Sequence, residues 1–246
     1  IQVWGLFVSL GLIAAVYFAY KLAKKYLLSG EVVIDLSIWV LFGALFMARV
    51  FHVVFYEPVY YIAYPIDFFK FWQGGASSLG GFVGAIMAAW LFAKFRKFSL
   101  KELIPYIDIA VLSLWLGWFV GRIGCFFIHD HPGKLSDFFL AVNFIDGSRH
   151  DLGLYDSLLG LALFISYFLL FKKLVKWHWG LVAIFSFMDY AAVRFFFDFL
   201  RADDLAQSDI RYLALTPAQW GMIVIFVSLG TVFIWGWQKK RKIKSS

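Results

Sequence analysis

Arg49, Arg122 and Arg194 stand inside long apolar runs, where an ordinary surface role is closed to them. A charge in such a run costs roughly 2.5 to 3.5 kcal/mol on insertion scales, so each needs a partner or a task. They lie five or six residues before the C-terminal ends of their runs. At about 1.5 Å per residue this sets all three roughly 8 to 9 Å beneath one surface, just below the level of lipid phosphates. Cations at that depth are suited to hold an anionic headgroup. Arg194, Asp198 and Arg201 fall at i, i+4 and i+7, one stripe on which Asp198 can position both arginines. Arg49, His52 and Tyr56 form a second polar stripe.

Other polar groups gather near the same ends. Residues 121–133 read GRIGCFFIHDHPG and bring Arg122, Cys125, His129, Asp130 and His131 into a short stretch. Residues 149–160, RHDLGLYDSLLG, place His150, Tyr155 and Asp156 at the start of another apolar run, and Gln219 opens the last. His129 and His131 are spaced as metal ligands can be, but no second ligand cluster accompanies them, so no metal and no cofactor are expected. Cys125 reads either as a small packing residue or, with Arg122 near it in sequence, as a thiol able to accept an acyl or glyceryl group. Gly80 and Gly84 make a small-xxx-small pair that lets helices approach closely; Gly80 and Gly81 also suit close approach of a substrate. The stretch before Gly80 is too rich in glycine for a regular helix, and irregular backbone in a membrane must line a cavity or be covered by protein.

The elements that position these residues follow from composition. The chain has 246 residues, 62% hydrophobic and only 16% charged, with a net charge of +7. A soluble domain carries about a quarter charged residues, so the chain reads as an integral membrane protein. Seven apolar runs, at 3–20, 36–55, 75–95, 103–127, 154–174, 180–200 and 217–237, predict seven transmembrane helices in an all-α fold. Residues 59–72 are apolar but interrupted by Pro65 and Asp67, and predict a segment at the interface. One membrane domain spans 1–246, with 128–153 as a small outer-surface insertion. No cleavable signal pattern precedes the first run, and with Ile1 in place of Met a start residue is expected to be missing. Fifteen of the 23 Lys and Arg fall at 21–25, 94–101, 172–176 and 239–244, one side of the membrane if seven helices alternate. That side is cytoplasmic, which leaves the N-terminus outside and the C-terminus inside. The positive charge is therefore a topology signal and gives no reason to expect nucleic acid as a partner.

At these residues the sequence resembles the bacterial prolipoprotein diacylglyceryl transferase family. The family's glycine-rich stretch is similar to 74–84, its Gly-Arg-x-Gly signature to 121–133, its His-to-acid element to 150–156, and its Arg, acid, Arg, Asp stripe to Arg194, Asp198, Arg201 and Asp204. The resemblance implies a multi-pass protein of the bacterial inner membrane. It would transfer a diacylglyceryl group from phosphatidylglycerol to the lipobox cysteine of a prolipoprotein, forming a thioether. It further implies that Arg122 and Arg201 contact phosphate, with Arg194 and Asp198 supporting them, and that Asp130 and Tyr155 stand at catalytic positions; Arg49, by its depth, and Gly80 and Gly81 are expected to join them in binding lipid.

The sequence departs from the family at Leu79, where the family has histidine, at Cys125 and Ile128, where it has asparagine, at Asp151, where it has proline, and at Gln2. Two readings follow. In one, a working transferase uses His52, His129, His131 or His150 as base, since histidine titrates near neutrality. In the other, a non-catalytic relative binds anionic phospholipid.

Overall fold

The computed structural model describes residues 2–70, 74–205 and 211–245. Its helices are α1 (Val3–Lys25), α2 (Gly30–Phe55), α3 (Pro58–Ala63), α4 (Ser78–Phe95), α5 (Leu100–Ile128), α6 (Leu152–Trp177), α7 (Leu181–Phe197) and α8 (Pro217–Ser245). Each expected run coincides over most of its length with a helix. Among the described residues, α1, α2, α5, α6 and α8 are each long and apolar enough to cross a bilayer. The remaining two, α4 and α7, have 18 and 17 residues. At about 1.5 Å per residue they reach roughly 26 Å, close to the ~30 Å hydrocarbon thickness. The expected interfacial segment is α3 followed by a single 3-10 turn, Pro65–Phe69, each opened by a proline; Trp72, its expected end, lies outside the described residues.

The chain forms two compact units, Tyr20–Tyr106 and Ile1–Ala19 with Ile107–Ser246. In the first, α2 packs along α4 through glycine. A Cβ on Gly84 would strike the Gly43 carbonyl, and one on Gly80 the Met47 carbonyl, whereas Gly81 has ordinary room at 3.9 Å from its neighbours. Gly80 therefore serves helix contact. The α4 helix begins only at Ser78, with Ser77 as its cap, and Gly74 and Gly75 before it adopt φ of 85° and 76°, a region that glycine occupies without strain. The glycine-rich opening is irregular, as its composition requires.

In the second unit, α1 and α6 approach α5 at small residues: Gly11 against Gly117, Gly124 against Phe7, and Gly160 against Phe119. Asp108, fully buried, accepts hydrogen bonds from the Gly180 and Ala183 amides at 2.6 and 2.9 Å. These are donors at the start of α7 that no residue of that helix satisfies. Asp189 accepts from Tyr167 at 2.6 Å.

The all-α expectation is corrected between α5 and α6. Strands β1 (Pro132–Leu135), β2 (Val142–Phe144) and β3 (Gly147–Asp151) form an antiparallel sheet in the order β1-β3-β2. Val142 pairs with Arg149 and Phe144 with Gly147. The hairpin turns through Ile145 and Asp146, and Gly147 opens β3 with φ of 133°, backbone that glycine adopts without strain. The sheet satisfies its backbone groups without a helical span. Arg149 sits beneath it, 3% exposed, bonded to Asp146 and Asp204 at 2.6 Å each and to the Gly133 carbonyl at 3.0 Å.

Candidate functional site

Three arginines and two aspartates alternate through the second unit. Arg122 on α5 lies 3.4 Å from one oxygen of Asp156 on α6; the other oxygen lies 3.5 Å from Arg194 on α7. Arg194 donates to Asp198 at 2.6 Å, and Arg201 lies 3.8 Å from the same aspartate. The two aspartate side chains are 1% and 0% exposed, the three arginines 21%, 11% and 27%. The Asp198 stripe inferred from spacing is present, although α7 ends at Phe197 and a 3-10 turn, Asp198–Leu200, carries the chain to Arg201.

Thr216 also donates to Asp198. Its hydroxyl accepts from the Gln219 amide at 3.2 Å, while the Gln219 side chain accepts from the Thr216 amide at 2.9 Å. This reciprocal cap at the start of α8 is encoded by Thr-Pro-Ala-Gln. Gln219, fully buried, also donates to the Phe195 carbonyl at 3.1 Å. The start of α8 is thereby tied to both the end of α7 and the aspartate between its arginines.

Arg201 is held from the other side by the sheet. It forms a β-bridge with Gly133, and the Ala202 amide donates to the Pro132 carbonyl. A Cβ on Gly133 would lie 2.7 Å from both His150 and the Leu200 carbonyl. Only glycine lets the strand reach the arginine. Tyr155 on α6 meets His150 on β3 at 2.7 Å; burial lowers the His150 pKa, which favours the neutral ring.

At the end of α5, Arg122 donates to His131 Nε2 at 2.9 Å and lies 3.8 Å from Cys125 Sγ, with Trp118 packed against its guanidinium at 4.7 Å. The other ring nitrogen of His131 is 3.1 Å from Asp130. Cys125, Asp130 and His131 bring one potential ligand atom each to within 4.8 Å of one another. Of the two histidines whose spacing was weighed for a metal, only His131 belongs to this group. His129 turns elsewhere, 2.6 Å from Asp151, which also caps α6 by accepting from the Leu154 amide at 3.0 Å.

Thus Arg122, Arg194, Asp198, Arg201, Asp130 and His131 come together with Asp156, which was not among the expected site residues and whose signal is an acid at the mouth of an apolar run. Tyr155 and His150 form a pair between α6 and β3. Arg49, His52, Gly80 and Gly81 belong to the unit Tyr20–Tyr106. There Arg49, 2% exposed, donates to the carbonyls of Asp67, Phe68, Lys70, Gly74 and Gly75. His52 lies 3.5 Å from Glu57, and Leu79 is 65% exposed. The guanidinium of Arg49 closes a turn on itself by binding main chain.

A family profile described as prolipoprotein diacylglyceryl transferase matches residues 1–235. Similar proteins named phosphatidylglycerol-prolipoprotein diacylglyceryl transferase include that of Oleidesulfovibrio alaskensis, 32% identical over 98% of this chain and 90% of the relative. That of Gloeobacter violaceus is 30% identical over the same shares. That of Ehrlichia ruminantium (strain Gardel) is 28% identical over 89% and 86%. With the apolar helices, the ordered arginines and a match along nearly its whole length, the chain belongs to the prolipoprotein diacylglyceryl transferase family.

Proposed function

We propose that this chain transfers a diacylglyceryl group from phosphatidylglycerol to the thiol of a lipobox cysteine in a prolipoprotein. The thiol sulfur bonds to the glyceryl carbon, the carbon–oxygen bond to phosphate breaks, and glycerol phosphate departs with the electron pair. In this reading the protein is a single membrane domain with seven spans in the bacterial inner membrane, the N-terminus outside, the C-terminus cytoplasmic, and 128–153 an insertion at the outer surface.

The observation that carries this is the alternation Arg122, Asp156, Arg194, Asp198, Arg201. Within this alternation, which leaves out the more exposed Asp130 beside His131, three guanidinium groups against two carboxylates leave one positive charge, matching the single negative charge of a phosphodiester. As the bond breaks the phosphate gains charge, and arginines already fixed in a water-poor site stabilise it without reorganising. Arg122 and Arg201, the more exposed of the three, contact the phosphate. Arg194 and the aspartates hold them. Arg49 acts through the turn it closes.

Purified protein is incubated with phosphatidylglycerol and a lipobox peptide, and the peptide is weighed by mass spectrometry. A mass increase of one diacylglyceryl group, absent when the peptide cysteine is replaced by serine, is the expected result. An unchanged peptide, with a relative of this family active in parallel, refutes the reading.

A further inference from the structure

A transferase of this kind needs a thiolate, and the family histidine that the resemblance places at position 79 is a leucine here. We propose that Cys125, Asp130 and His131 form a zinc site whose open position takes the acceptor thiol. The identity of the fourth ligand rests on the transferase reading; the site itself does not.

Thiolate, imidazole and carboxylate are the donor types zinc prefers, and catalytic zinc keeps three protein ligands with one position open. Two ligands on one ion lie no farther apart than the sum of their bond lengths, about 4.3 Å for sulfur and nitrogen. The donor atoms here are within 4.8 Å of each other, and tetrahedral zinc holds sulfur and nitrogen about 3.5 Å apart, so side-chain rotations that move the donors by up to about 1.3 Å close the set. The environment also points to a missing partner. Arginine only donates, so His131 Nε2 accepts from Arg122. Nδ1 is buried and, although 3.1 Å from Asp130, makes no hydrogen bond. A buried ring nitrogen in that condition is unusual.

Charge is consistent with occupancy. The cysteine thiolate and the Asp130 carboxylate cancel the two charges of Zn²⁺, so the filled site presents no net repulsion to Arg122. Metal on Nδ1 moves the imidazole proton to Nε2, which then no longer accepts from Arg122. The guanidinium turns to Asp156, its existing neighbour, and to the lipid phosphate. Filling the metal site thereby frees the cation that the phosphate needs.

The step balances. The acceptor thiol displaces a zinc-bound water, and its proton passes to solvent, because a zinc-bound thiol is deprotonated outright. The sulfur attacks the glyceryl carbon of phosphatidylglycerol, the S–C bond forms, and the C–O pair leaves on the phosphate beside Arg122 and Arg201. The product thioether is neutral and a weak ligand, so water replaces it.

The test uses the full chain in detergent, stripped with a chelator and titrated with Co²⁺ as a spectroscopic probe. A near-ultraviolet sulfur-to-cobalt band saturating at one equivalent is expected. Cys125→Ser should abolish it, and His131→Ala and Asp130→Ala should each weaken Co²⁺ binding at least tenfold. Thermal unfolding confirms that the variants are folded. A lipobox peptide should roughly double the band, and its cysteine-to-serine version should leave it unchanged. No band in the wild-type chain, an equal band in Cys125→Ser, or no response to the peptide overturns the proposal. Transfer assayed on the same preparations separates the two readings. Absence of the band with transfer intact overturns the zinc site alone; a peptide-responsive band with no transfer supports the site and removes the transferase reading.

Discussion

Asp156 Oδ2 lies 3.4 Å from Arg122 Nη2, joining α6 to α5 through a carboxylate that is 1% exposed. The same carboxylate faces Arg194 at 3.5 Å, so its loss would leave no carboxylate between two neighbouring guanidinium groups, with Asp198 remaining, of these two, on Arg194 alone. Removing one partner of a buried pair typically costs 3–5 kcal/mol, because the other charge stays behind. Asp156→Asn should lower stability by about 3 kcal/mol, read as a fall in thermal midpoint, and reduce lipid retention with it. A midpoint within a degree of wild type would show that the two arginines find other partners.

Arg201 tests the phosphate role more directly, since its main chain is held by Gly133 whatever its side chain does. Arg201→Ala should reduce transfer by about 10² to 10³, the loss typical of one donor to a developing oxyanion. Arg201→Lys should recover part of it, because lysine keeps the charge without the planar fork. The effect should fall on kcat more than on KM. An equal loss in both variants, with fold intact, would point to shape in place of charge.

Arg149 predicts an acid limit for the outer sheet. Its hydrogen bonds hold the carboxyls of Asp146 and Asp204 below the usual carboxylate range. Groups whose pKa is depressed by folding contribute stability above their unfolded value, near 3.9, and lose it as pH falls through the lowered folded value. Hydrogen exchange of the β3 amides should therefore separate wild type from Arg149→Met at pH 6, and the difference should shrink as pH falls below about 3.9 and vanish once both carboxyls are protonated in the folded chain. A difference that persists there would mean that packing, and not the ion pairs, secures the sheet.

Gly84 and Gly81 form a matched pair of tests on one helix. A side chain at position 84 meets the Gly43 main chain, whereas position 81 has ordinary room. Gly84→Val should cost roughly 1 to 3 kcal/mol through overpacking, and Gly81→Ala should unfold within a degree of wild type. Equal behaviour of the two would contradict the close contact between α2 and α4.

The helical layout is legible because apolar runs of span length admit few alternatives in lipid, and the seven runs coincide with helices. The stripe of Arg194, Asp198 and Arg201 is equally direct, a matter of spacing. Other features hid for identifiable reasons. The sheet left little signal, because its strands have three to five residues and stand between two dominant hydrophobic runs. Asp108 pairs with main-chain amides, which no pattern of side chains discloses. The meeting of Cys125 with His131 depends on the chain turning back at His129, whose φ is 49°, and no periodicity specifies that turn.

The alternation of charge along α5, α6 and α7 also bears on how the protein is made. Arg122 emerges in sequence before Asp156, and Asp156 before Arg194, so every link between helices is completed by a later segment. Until then Arg122 and Asp156 each wait for a partner on a later segment, and a charge in an apolar helix costs roughly 2.5 to 3.5 kcal/mol, whereas Arg194 has Asp198 on its own segment. Delaying the release of α5 until α6 and α7 have arrived removes that penalty. An exchange of Arg122 with Asp156 would therefore disturb the finished pairing as well as its assembly, because it would set two arginines against each other between α6 and α7.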